Sequence, residues 1–110
     1  MAYDEELADR IRALLGDRPG LTEKKMFGGL AFLIGGNMAV AASGQGGILV
    51  RVDPEESYEL VTSTPAEPME MRGRQMAGWL RVDTAHVASD DELAAWVERG
   101  WSYAASLPPK

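Results

Sequence analysis

The sequence predicts an α+β domain, an antiparallel sheet with helices on one face, in the order α, three or four β, α, two β, α. Three observations predict it. From Lys24 to Val52 short apolar runs alternate with glycine clusters, and seven of the chain's twelve glycines lie there (Gly28, Gly29, Gly35, Gly36, Gly44, Gly46 and Gly47). Apolar runs of that length suit strands, and the glycines between them mark turns or bulges. Helical patterns precede and follow this stretch. There is no βαβ alternation, so the helices belong together on one side of the sheet.

The first helix is predicted over Asp4 to Leu15. Leu7, Ile11, Leu14 and Leu15 form one stripe, the acids Asp4, Glu5 and Glu6 suit the positive end of the helix dipole, and Gly16 suits the C-cap. The first sheet run is Lys24 to Phe27, followed by Gly28-Gly29, which reads equally as a hairpin turn or a bulge. Leu30 to Ile34 is apolar at every position, as in a strand covered on both faces. Gly35-Gly36-Asn37 can turn the chain into Met38–Ala42, whose alanines predict a close neighbour. Ile48 to Val52 closes the meander, with Ile48, Val50 and Val52 on one face and Leu49 and Arg51 on the other.

Asp53-Pro54-Glu55-Glu56 is a helix start, with Asp53 as cap, Pro54 in the first turn and Glu56 in a capping-box pattern. This helix is expected to turn Tyr58 and Val61 inward and to end before Pro65. A loop from Thr64 to Pro68 leads to a second sheet segment. In it Met69 and Met71 alternate with Glu70 and Arg72, Gly73 and Gly78 flank a turn, and Trp79 to Asp83 forms a strand. In the last helix Ser89 caps, Glu92 sits three residues on, and Leu93, Trp96, Val97, Trp101, Ala104 and Leu107 form the apolar stripe.

At 110 residues the chain is expected to make one domain, 1–110. No apolar run approaches the roughly 20 residues of a membrane span, and the acidic N-terminus is unlike a signal peptide, so a cytoplasmic location is expected. The absence of cysteine excludes disulfides and thiol chemistry. A net charge of −6 opposes nucleic-acid binding through overall charge. The only histidine is His86, where a surface or capping role is expected. No nucleophile–base set, metal-ligand spacing or phosphate-loop pattern occurs, so no catalytic residues, no metal and no cofactor are expected. The acids Asp90, Asp91 and Glu92 are accounted for by the helix start.

One feature stands apart. The predicted sheet segments, Lys24–Val52 and Met69–Val82, hold Lys24, Lys25, Arg51, Arg72, Arg74 and Arg81 against the single acid Glu70; the rest carries five basic and sixteen acidic residues. If helices cover the Val50/Leu80 face, parity puts Leu49, Arg51, Arg72, Trp79 and Arg81 on the other. That set is the expected interaction face.

The ordered set Lys25-Met26-Phe27-Gly28-Gly29, Gly36-Asn37-Met38, Leu49-Val50-Arg51-Val52, Pro68-Met69, Gly73-Arg74, Gly78-Trp79 and Ala94-Ala95-Trp96 resembles the TfoX N-terminal domain family over nearly the whole chain. The resemblance implies a fold similar to type III secretion chaperones and a non-enzymatic regulatory role like that of competence regulators. It implies no catalytic residues, and makes Met26, Phe27, Gly28 and Gly29 a structural signature. The chain is expected to be a stand-alone domain, since Lys110 leaves no room for the C-terminal helical domain of those regulators. The first functional expectation is a protein-interaction module, self-associating as a homodimer through the basic sheet face. The alternatives are a transcription-linked regulator touching nucleic acid through that face, and a small-ligand-binding protein.

Overall fold

Helix formation at the N-terminus follows from capping and one apolar stripe. In the computed structural model, which describes residues 4–26, 28–44, 46–71 and 73–109, α1 spans Glu5–Leu15. The Asp4 carboxylate accepts from the Leu7 N–H, Gly16 closes the C-terminus at φ +60°, and Leu7, Ala8, Ile11 and Leu15 are buried. Six strands follow in one antiparallel sheet: β1 (Leu21–Met26), β2 (Gly29–Ile34), β3 (Asn37–Ala42), β4 (Ile48–Arg51), β5 (Glu67–Met71) and β6 (Arg74–Val82). Helix α2 (Pro54–Ser63) lies between β4 and β5, and α3 (Asp90–Ala105) follows β6 after a 3-10 turn at Thr84–His86. The spatial order is β1-β2-β3-β4-β6-β5.

The α+β fold and the element order agree with expectation, and the strands correct it in two places and decide one open alternative between them. First, β1 begins at Leu21, not Lys24, which adds Glu23 to the sheet; β5, starting at Glu67 inside the expected loop, adds another carboxylate. The sheet is therefore less one-sided in charge than its sequence segments suggested. Second, Met26 pairs with Gly29, so β1 and β2 form a hairpin and not a bulged single strand. Within the family signature, Phe27 lies outside the described residues. A Cβ on Gly29 would sit 2.2 Å from the Ala42 carbonyl oxygen, which is the physical reason for glycine there. Third, Gly78 does not flank a turn but lies inside β6, at φ +85°. The β5–β6 register shifts between Pro68 and Met69, and the Gly78 carbonyl instead accepts from the Val52 N–H at 2.8 Å. This bulge brings β6 beneath the start of α2, since a Cβ on Gly78 would lie 3.1 Å from Pro54.

The helices pack on one face. Leu7, Ile11, Leu15, Leu30, Phe32, Val40, Ile48, Val50, Leu80, Val82, Leu93 and Val97 form one buried cluster between helices and sheet. The closest approach is at Gly100 of α3, where a Cβ would meet the Ala39 carbonyl oxygen at 2.4 Å. Ala39 lies where the β2–β3 register shifts, Phe32 facing Val40 but Leu33 facing Met38. The small residues of β3 thus meet a helix backbone, as their size predicted. The capping box at Ser89 and Glu92 is formed as expected. In α2 the expectation holds for Val61, which packs against the buried cluster, and fails for Tyr58, which is 81% exposed; Leu60 is the fully buried side chain. Nor does Glu56 close a capping box; it faces Arg99 of α3 at 3.5 Å, while Asp53 caps through the Glu55 N–H.

Ion pairs fasten the helix layer. Arg10 meets Asp90 and joins α1 to α3. Arg12 is held by Glu23 at 2.7 Å and joins α1 to β1, which holds the Glu23 carboxyl below its ordinary range. Arg18 donates to both Glu98 oxygens and lies 5.4 Å from the Trp101 ring. The hydrogen bonds from Arg18 hold the Glu98 carboxyl below its ordinary range as well.

Candidate functional site

The register decides which side chains share the helix-free face. Leu49 pairs with Arg81, and Arg51 with Trp79. Directly paired residues project to the same side, so Leu49, Arg51, Trp79 and Arg81 stand together, opposite Val50 and Leu80. Lys24 pairs with Ala31 and joins them on β1. Arg72, the fifth residue expected here, lies outside the described residues.

This face is not a bare polar surface. Ala31, Leu33, Met38, Ala41 and Leu49 form a second buried cluster, with Met26, Met69 and Trp79 packed against it. Met26 comes from edge strand β1 and Met69 from edge strand β5, so side chains from both edges of the sheet pack against one cluster. Leu49, expected as an exposed contact residue, is only 6% exposed and belongs to the floor. Trp79 is half-buried and forms part of the rim.

Arg81 donates from Nη2 to the Gly46 carbonyl at 3.3 Å, tying β6 to the β3–β4 turn. Arg51 is held differently. Its guanidinium carbon lies 4.9 Å from the centre of the Trp79 ring and 5.9 Å from that of Tyr103 on α3. It sits where the β3–β4 pairing has ended at Val50, so it reaches an aromatic ring of the helix layer as well as one of the open face. The Tyr103 contact joins residues remote in sequence, and no periodicity in the chain announces it.

Two clefts border these elements. One of about 390 Å³ is lined by Tyr58, Val61, Pro68, Ala77 and Trp79, between α2 and the bulged part of β6. Another of about 510 Å³ lies between α2 and α3 and includes Asp53, Glu56, Glu98 and Arg99. Its carboxylates are engaged in the α2 cap and in the pairs with Arg99 and Arg18. Among the described residues no group of three or more metal-ligating side chains is arranged to hold an ion, and no helix is long and apolar enough to cross a membrane. His86 is exposed in the 3-10 turn.

Comparison with known families is decisive at this level. The TfoX N-terminal domain matches residues 13–104, from the last turn of α1 to the end of α3. The chain belongs to the TfoX N-terminal domain family. That family is one of non-enzymatic regulatory domains. No curated protein matches the chain. The match spans every strand of the sheet, so the helix-free face is built entirely from the TfoX N-terminal domain.

Proposed function

We propose that this TfoX N-terminal domain is a non-enzymatic regulatory module that acts in the cytoplasm through protein contacts on the helix-free sheet face. The observation that carries the reading is the grouping of Arg51, Trp79 and Arg81 around an apolar floor, on the side opposite an acidic helix layer. Aromatic and arginine side chains around an apolar centre are the composition of contact surfaces, and they contribute most of the binding energy where such surfaces are tight.

Self-association and a foreign partner differ in charge. Two copies joined through the same face would bring Arg51 and Arg81 against each other's counterparts. A face-to-helix contact between copies would be head-to-tail and would give a ring or an open filament, not a two-fold homodimer. The charge pattern therefore favours a foreign acidic partner over a homodimer. The test is affinity purification of the tagged protein from its own cells, with quantitative mass spectrometry, beside Arg51→Glu combined with Arg81→Glu. Partners lost from the double variant support the reading, and an unchanged set refutes it. Sedimentation of the wild type at high micromolar concentration decides the homodimer.

Nucleic-acid contact is the second reading, favoured by Lys24 on the same face as Arg51 and Arg81. Titration with duplex DNA at low and moderate salt tests it, because phosphate contacts weaken steeply as salt rises. Absence of binding at low salt removes it.

A further inference from the structure

The two stacked arginines of this fold differ in what their N–H groups do. Arg18 lies over Trp101 and also donates to Glu98 and to the Leu14 carbonyl. Its ring contact belongs to a closed structural clamp. Arg51 lies against two rings, Trp79 and Tyr103, yet among the described residues it makes no hydrogen bond and no ion pair. None of its nitrogens is buried without a partner, so its donors face solvent. Of the acids that follow it in the chain, Asp53 accepts from the Glu55 N–H and Glu56 pairs with Arg99, while Glu55 is exposed at the start of α2 and forms no ion pair with Arg51. A guanidinium fixed by its faces, with its edge donors unused, is preorganised for a planar anion that accepts two parallel hydrogen bonds.

Trp79 links this group to the apolar cleft. It stacks on Arg51 and also lines the groove with Tyr58, Val61, Pro68 and Ala77. Tyr58 is 81% exposed at the groove's wall, where burial in the chain's own core does not account for it. We infer that Arg51 receives a side-chain carboxylate from an acidic, apolar segment of a partner protein, while a neighbouring apolar side chain of that segment enters the groove beside Trp79. Charge complementarity selects this occupant: the face presents Lys24, Arg51 and Arg81, the acid Glu67 stands across from Arg81 and not from Arg51, and a second copy docking by the same face would meet it with like charges. The inference rests on the protein-contact reading above and adds its anchor residue and the chemistry of its partner.

The test is an NMR titration of the labelled full chain, following the Arg51 Nε–Hε and Trp79 indole signals. The probes are an acetylated, amidated peptide of sequence ELEF and its neutral counterpart QLQF. Shifts from ELEF should centre on Arg51, Trp79 and Tyr58. QLQF should bind about tenfold more weakly, as should ELEF to Arg51→Gln, the loss expected for a charge-assisted pair. Arg51→Lys keeps the charge but loses the fork, and should fall between; it also serves if Arg51→Gln is poorly folded. Equal binding of both peptides, or of ELEF to wild type and Arg51→Gln, overturns the anchor. Inorganic phosphate moving the Arg51 signal more than acetate at equal concentration overturns the carboxylate assignment. If cell-derived partners are lost from the Arg51→Glu, Arg81→Glu variant but retained by Arg51→Gln, the protein-contact reading stands and the anchor fails.

Discussion

Replacing Gly100 by alanine should destabilise the protein, against the usual sign of that change. In an ordinary helix interior, glycine to alanine stabilises by about 0.8–1 kcal/mol because alanine loses less backbone freedom on folding. Here the added Cβ would lie 2.4 Å from the Ala39 carbonyl oxygen, 3.2 Å from its carbon and 3.1 Å from Val50 Cγ1. Two of those atoms are backbone of a central strand, so relief requires α3 to move off the sheet. Overpacking of this kind costs about 1–3 kcal/mol, and against a main chain it belongs at the upper end. With the propensity gain subtracted, the net loss is about 1–2 kcal/mol. At roughly 2.1 cal/mol/K of unfolding entropy per residue, that corresponds to a fall in Tm of about 4–9 °C. Thermal unfolding followed by far-UV circular dichroism measures it. A Tm that rises by a few degrees would show that α3 does not approach β3 at this point and would refute the packing argument.

Further outcomes follow from other parts of the fold. Gly47→Ala should be harsher still, because its φ is +68° and a Cβ would lie 2.2 Å from the Val82 carbonyl oxygen; loss of soluble folded protein or a Tm fall larger than that of Gly100→Ala checks it. Ser89→Ala removes the capping-box acceptor of α3 and should cost about 1 kcal/mol, read from urea unfolding at constant slope. Glu23 and Glu98 have carboxyls held below the ordinary glutamate range by Arg12 and Arg18. Their contribution is fully present above the unfolded-state value and is lost as pH falls through the lowered folded-state values. Glu98→Gln should therefore reduce stability at neutral pH slightly and flatten the acid limb of the stability profile, by a small amount since the pair is partly exposed. Arg51→Gln should change stability by no more than about 1 kcal/mol, the scale of exposed ring contacts, with its main effect on partner binding.

Most of the fold was legible because its signals are local. The Ser89–Glu92 capping box, the Asp53-Pro54 helix start and the alternation in Ile48–Val52 each depend on neighbours a few residues away. Misreadings arose where a residue type serves two purposes. Glycine suits a turn and a bulge equally: in the sequence Gly78 reads as the flank of a turn, and its contacts with Val52 and Pro54 make it a bulge. In α2 the helix is short and contributes only Leu60 to the buried core, so periodicity did not separate Tyr58 from the inward side. For the candidate face, parity correctly grouped Leu49, Arg51, Trp79 and Arg81. It did not show that Leu49 would be floor and not surface, because that depends on Met26, Met69 and Trp79, from three different strands, packing against one cluster. Nor did it show Tyr103 against Arg51, a contact made only once α3 has docked.

The account depends most on which side of the sheet meets a partner. Photo-crosslinking in the protein's own cells locates that side, with a benzophenone amino acid placed singly at Lys24, on the helix-free face, or at exposed Gln75 in the groove beside Trp79, and at Glu5 or Asp91, in the helix layer away from the groove. The account predicts partner adducts from the first two positions, suppressed when Arg51→Gln is added. Adducts confined to Glu5 or Asp91 would contradict it.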